Sequence, residues 1–85
     1  MFINVVEAKY LNEYKIWIKF NNGIEGEVDL ENDLWGPVFE PLKDTNEFRK
    51  FKISKTFGTI VWENEADLAP EYLLEKTNKS PPTKK

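Results

Sequence analysis

The chain has 85 residues, with 12 lysine or arginine and 15 aspartate or glutamate side chains and a formal net charge of −3. It contains no cysteine and no histidine. That excludes thiol nucleophiles, Ser-His triads, imidazole bases and thiolate or imidazole metal sites.

The length suits one domain, and an aromatic content of 14% supplies bulky residues for a small core. No apolar run approaches the roughly 18 residues of a membrane span. Met1-Phe2-Ile3-Asn4 carries neither the charged nor the apolar region of a signal peptide. Without a disulfide framework to suggest secretion, a cytoplasmic protein is expected.

The charge is uneven. Lys76, Lys79, Lys84 and Lys85 fall in the last ten residues with no acid among them. Eight of the twelve basic side chains and all fifteen acids lie in residues 1–75, a balance of −7. An acidic body argues against a direct nucleic-acid partner, which needs a basic face. The division expected is a domain over 1–76 and a disordered basic tail over 77–85, polar and containing Pro81 and Pro82.

Residues 2–11 are rich in strand formers but alternate poorly. The next two runs alternate cleanly. Tyr14, Ile16, Ile18 and Phe20 interleave with Lys15, Trp17 and Lys19; Ile24, Gly26, Val28 and Leu30 interleave with Glu25, Glu27 and Asp29. A two-residue Asn-Gly turn would set Phe20 against Glu25. A three-residue loop, Asn21-Asn22-Gly23, with Gly23 left-handed, sets Phe20 against Ile24 and matches polarity in every pair down to Lys15 with Asp29. The longer loop is therefore expected. It sends Tyr14, Ile16, Ile18, Phe20, Ile24, Val28 and Leu30 to the core.

Trp17 then falls on the charged face with Lys15, Lys19, Glu25, Glu27 and Asp29. Two readings stand. The ring is either an exposed anchor for a partner or a satellite of the core, covered by the first strand's flank or by the segment from Leu34 to Phe39.

Glu31 to Trp35 reads as a polar turn or single helical turn, ended by Gly36-Pro37. Val38 to Leu42 reads as a short extended piece. Asp44 is placed to cap a short helix, with Glu47 three residues on completing a capping box. Phe48 and Phe51 supply that helix's apolar side. Phe51 to Lys55 reads as a strand, and Gly58 turns the chain into Thr59-Ile60-Val61-Trp62.

After Trp62 a polar turn precedes a helix whose first residue is Pro70. Leu68 and Leu73 form a hydrophobic staple, with Trp62 and Leu68 closing the core from two sides. Asp67 is expected to accept amide hydrogen bonds at the helix start or in the turn. The helix is expected to fray near Lys76. Glu63, Glu65 and Asp67 form a carboxylate cluster, but the spacing lacks the glycine and twelfth-position glutamate of a calcium loop, so no metal site is assigned. Gly23, Trp62, Asp67, Leu68, Pro70 and Leu73 are read as structural.

The fold class expected is α+β, a small antiparallel sheet of about five short strands with two or three short helices. No catalytic residue and no cofactor site is identified.

The order of Phe20-Asn21-Asn22-Gly23, Val28-Asp29-Leu30, Gly36-Pro37-Val38-Phe39-Glu40-Pro41-Leu42, Phe48, Gly58-Thr59-Ile60-Val61-Trp62 and Ala66-Asp67-Leu68-Ala69-Pro70-Glu71-Tyr72-Leu73 resembles the domain-of-unknown-function 2442 family over roughly residues 3–76, most specifically in the block Gly36 to Leu42 and the block Trp62 to Leu73 with its Asn64. The resemblance implies a small, mostly bacterial α+β protein without an established activity. Some relatives look like one half of a toxin–antitoxin-like pair; longer ones carry a C-terminal helix-turn-helix. Glu63 stands where the family commonly has proline.

The function expected is a non-enzymatic, antitoxin-like module that binds a second protein. The alternative is the sensing or dimerising half of a transcription regulator, and a carboxylate-based enzyme is third. A protein partner is expected, with no membrane and a monomer or weak homodimer.

Overall fold

The structure is a computed structural model that describes residues 2–79. Three strands, β1 (Val5–Asn12), β2 (Lys15–Phe20) and β3 (Glu25–Asp29), form an antiparallel meander in the order β1-β2-β3. A single-turn 3-10 helix, Glu31–Asp33, and a second, Glu40–Lys43, lead to α1 (Thr45–Phe48). A two-stranded antiparallel sheet follows, β4 (Lys52–Ser54) with β5 (Thr59–Val61), and then α2 (Pro70–Lys79). The architecture is α+β, with five strands in two sheets.

The β2–β3 register is the one the polarity pattern demands. Lys15 faces Asp29, Ile16 Val28, Trp17 Glu27, Ile18 Gly26 and Lys19 Glu25. Phe20 donates its amide to the Ile24 carbonyl at 2.9 Å, and Gly23 takes φ +90°. Ile24 itself is not in the core. It is 37% exposed, because the loop ends there and no layer lies beneath it.

The poor alternation of β1 has a definite cause. The pairing with β2 is irregular between Val5 and Glu7 and again between Tyr10 and Asn12. Each bulge adds a residue, which reverses the parity of everything beyond it. Val6 and Leu11, the residues passed over, are exposed at 46% and 40%. Val5, Ala8 and Tyr10 thereby all reach the core.

Behind the meander, Ile16, Ile18, Phe20 and Val28 meet Phe48, Ile60, Trp62 and Leu73, all buried. The molecule measures 34 × 31 × 19 Å. Its short dimension corresponds to two layers spaced about 10 Å apart, each with its own thickness.

Trp62 lies at the centre of the second layer, within 6.4 Å of the rings of Phe39, Phe48 and Phe51. Its indole N–H donates to the Phe48 carbonyl at 2.8 Å, so its one polar atom is satisfied in the core.

Helix α2 starts at Pro70, and the Ala69 carbonyl accepts its first helical hydrogen bond from Leu73 at 3.1 Å. Leu73 is buried, and Leu68 is half-buried against the same core. The far end of α2 packs on β3 at Gly26. A Cβ at that glycine would stand 2.7 Å from Thr77 Cγ2, so α2 approaches where β3 has no side chain.

Four further expectations need correction. Val38 to Leu42 is not extended but turns into the second 3-10 helix. The left-handed Gly36 (φ +88°) reverses the chain so that Phe39 and Leu42 pack inward while Val38 stays 47% exposed. Asp44 does cap α1, its Oδ1 accepting from Asn46 N at 2.9 Å. The box is not closed, because the Glu47 carboxylate pairs with Lys50 at 3.1 Å and the Asp44 amide donates to Pro41.

The third concerns the domain boundary. Helix α2 continues past Lys76 to Lys79, held by the Thr77 hydroxyl donating to Leu73 at 2.9 Å. The boundary expected at 76/77 therefore falls inside the helix, and residues 80–85 lie outside the described residues.

The fourth is Asp67. It joins the fold through its backbone, which bridges to Val61, while its side chain is exposed. The turn is held instead by Asn64. Its Oδ1 accepts from Ala66 N at 3.2 Å, and its Nδ2 donates to the Val38 carbonyl at 2.8 Å.

Candidate functional site

The outer face of the β1-β2-β3 meander carries all six residues singled out from the hairpin pattern: Lys15, Trp17, Lys19, Glu25, Glu27 and Asp29. The bulges in β1 place Glu7, Lys9 and Asn12 on the same face. Three rows result: Glu7–Lys19–Glu25, Lys9–Trp17–Glu27 and Asn12–Lys15–Asp29. Each row is set by strand register, since residues directly opposite share a face with Cβ atoms about 5 Å apart.

Trp17 sits at the centre of this array on the central strand. It is half-buried, as are Lys15 and Lys19, while Glu25, Glu27 and Asp29 are exposed. The Lys9 ammonium lies 5.9 Å from the Trp17 ring centroid. That cation–π contact contributes about 0.5–1 kcal/mol at an exposed site. The segment from Leu34 to Phe39 does not cover the ring. Phe39 packs against Trp62 in the other layer, with centroids 6.4 Å apart.

The charges of the face stand opposite one another without closing. Elsewhere, ion pairs form between Lys43 and Glu40 (3.3 Å), Lys50 and Glu47 (3.1 Å), and Lys76 and Asp33 (2.9 Å). Among the described residues none closes on this face. Asp29 differs from the other acids because its Oδ1 also accepts from the Glu31 amide at 3.0 Å, which starts the first 3-10 helix.

Hairpin polarity located the β2 and β3 rows. It could not locate Glu7 and Lys9, because their facing depends on a bulge that no residue in β1 announces. Glu63, Glu65 and Asp67 are all exposed around the turn after Trp62. Among the described residues, no group of three acids is gathered as a metal ion would require, and no helix is long and apolar enough to cross a membrane.

A second surface went unremarked in the sequence. Trp35, 73% exposed, stands with Phe39, Leu68 and Tyr72 around a groove of about 370 Å³ that Asp33 also lines. The Tyr72 hydroxyl donates to Asp33 Oδ1. That hydrogen bond to the carboxylate, helped by burial and the negative charge of Asp33 and Glu75, pushes the Tyr72 pKa up to about 12. The periodic pattern gave no signal here, because the groove joins residues more than thirty positions apart.

The model of one protein family, described as a protein of unknown function (DUF2442), matches residues 5–79. The chain belongs to the DUF2442 family. Comparison with curated proteins and with solved structures gives no match.

The two most specific blocks of the likeness to DUF2442, Gly36 to Leu42 and Trp62 to Leu73, meet in the fold. Asn64 of one donates to Val38 of the other, and the rings of Phe39 and Trp62 pack edge to face. Those blocks build the second layer.

Proposed function

We propose that this DUF2442 protein is a non-catalytic protein-binding module and that the outer face of its meander is the binding surface. One observation carries the proposal: the outer face of the meander holds three registered rows of charge around a half-buried tryptophan, with no ion pair closed among them. Aromatic anchors ringed by polar residues recur at interfaces, and charge patterns select partners and speed encounter. The partner class that follows from the family resemblance is a second small protein, in an antitoxin-like pairing. The partner's surface should answer the rows with opposite charges and a pocket for the indole.

The test compares tagged wild type, Trp17→Ala and Trp35→Ala in capture from the native cell. The expected result is a protein held by wild type and by Trp35→Ala and lost with Trp17→Ala. The Trp17 variant should lose no more than about 1 kcal/mol of stability. Equal capture by all three overturns the assignment of the face. So does a destabilisation of about 3–5 kcal/mol, which would mark Trp17 as a core residue.

A further inference from the structure

The aromatic groove lies on the other side of the meander from Trp17. Helix α2 packs over the core side of β3 at Gly26, and the groove is built where the first turns of α2 meet the chain leaving β3. Trp35 projects from this chain just before Gly36, whose positive φ turns the backbone away beneath it. A ring 73% exposed contributes little to folding.

The fold already contains an example of what this surface attracts. Lys76 Nζ lies 2.9 Å from Asp33 Oδ2 and 5.8 Å from the centroid of Tyr72. A carboxylate and an aromatic face together hold an ammonium at one end of the groove. At the other end, among the described residues, no ring and no cation is stacked on Trp35.

We propose that the groove receives a linear, arginine- or lysine-bearing segment of a partner protein, with one cationic side chain stacked on Trp35. Three observations support that occupant. Indole is the strongest of the aromatic faces for a cation. Glu71 and Glu75 flank Tyr72 on α2, so with Asp33 three carboxylates stand against the one ammonium of Lys76 there, and the approach favours positive charge. The groove, at about 370 Å³, has room for a side chain or two. A linear segment presents side chains of that size. This proposal is independent of the Trp17 face.

The probe is a blocked Gly-Arg-Gly-Arg-Gly peptide titrated into the full chain, with the indole N–H signals of Trp17, Trp35 and Trp62 followed by NMR. A matched peptide with citrulline, the neutral isostere, replacing arginine is the control. The expected result is a saturable shift at Trp35 that leaves Trp17 and Trp62 still. The citrulline peptide and the Trp35→Ala variant should each weaken binding by about two- to fivefold. Tyr72→Phe keeps its ring and should keep binding. Three outcomes overturn the proposal: no shift at Trp35 up to about millimolar peptide, equal binding of the citrulline peptide, or a response at Trp17 in place of Trp35. The contrast between the two peptides is read on wild type, so it stands whether or not a variant folds.

Discussion

Asn64 and Asp67 show how turn chemistry misleads at the scale of a residue. Asp67 lies just ahead of Leu68-Ala69-Pro70, where a carboxylate can accept amides of the turn or the helix start, and sequence reasoning gives it the structural role. The structure gives that role to Asn64, which accepts from Ala66 and donates to Val38. Only an amide can do both, since a carboxylate has no donor. Asn64→Ala should therefore cost about 1–2 kcal/mol, and Asp67→Ala should stay within about 0.5 kcal/mol. Urea titrations of both variants with unchanged m-values check the ranking, and the reverse order would restore the cap at Asp67. Tyr72 offers a test in pH. Its folded pKa of about 12 lies above the ordinary 10.0. Between those values the unfolded state has released its proton while the folded state keeps it, so stability falls as pH rises. The advantage of wild type over Tyr72→Phe should be full below pH 10 and shrink towards pH 12, measured as paired denaturation midpoints. A constant difference across that range would show that the hydroxyl's bond to Asp33 contributes nothing.

At the scale of elements, legibility followed locality. The β2–β3 hairpin could be read pair by pair, because one loop length alone matches polarity throughout. The start of α2 at Pro70 was legible for a similar reason, since proline fixes its own φ and restricts its predecessor. The bulges of β1 and the reversal at Gly36 were not legible, because each answers to packing against a distant segment. The packing of α2 on β3 is also non-local, but a single residue reports it. Gly26 faces the core beside buried Ile18, where an alternating strand calls for a larger side chain. Its missing Cβ makes room for Thr77. Gly26→Ala should destabilise by about 1–3 kcal/mol through overpacking. Adding Thr77→Ser removes the opposing methyl and keeps the hydroxyl that donates to Leu73, so the double variant should recover most of the loss. Additive losses in that cycle would mean that the two residues do not meet.

For the whole molecule, the distribution of charge decides between partner classes. The meander face contains Lys9, Lys15 and Lys19 beside an indole, which taken alone resembles a platform for single-stranded nucleic acid. The strand register removes that resemblance. Glu7, Glu25, Glu27 and Asp29 alternate with the lysines along the rows, leaving four acids to three cations. A phosphate backbone laid along β2 meets Lys15, Trp17 and Lys19, but each of these lysines has a carboxylate directly opposite it on β3. Counterion release scales with the number of phosphates neutralised, and three lysines offset by four acids supply too few. A labelled single-stranded oligonucleotide should accordingly show no saturable anisotropy change at about 150 mM salt. The protein partner, once captured, should show the opposite behaviour. Its association should slow as salt rises, because the rows act first on encounter. Dissociation should respond chiefly to Trp17, the one large apolar group at the centre of the face. Stopped-flow association at several salt concentrations, with wild type, Trp17→Ala and Lys19→Glu, separates the two effects. Lys19→Glu should lower the on-rate and flatten its salt dependence, and Trp17→Ala should leave the on-rate nearly unchanged while raising the off-rate. Salt-independent association by wild type would remove the charge rows from recognition and leave the indole acting alone.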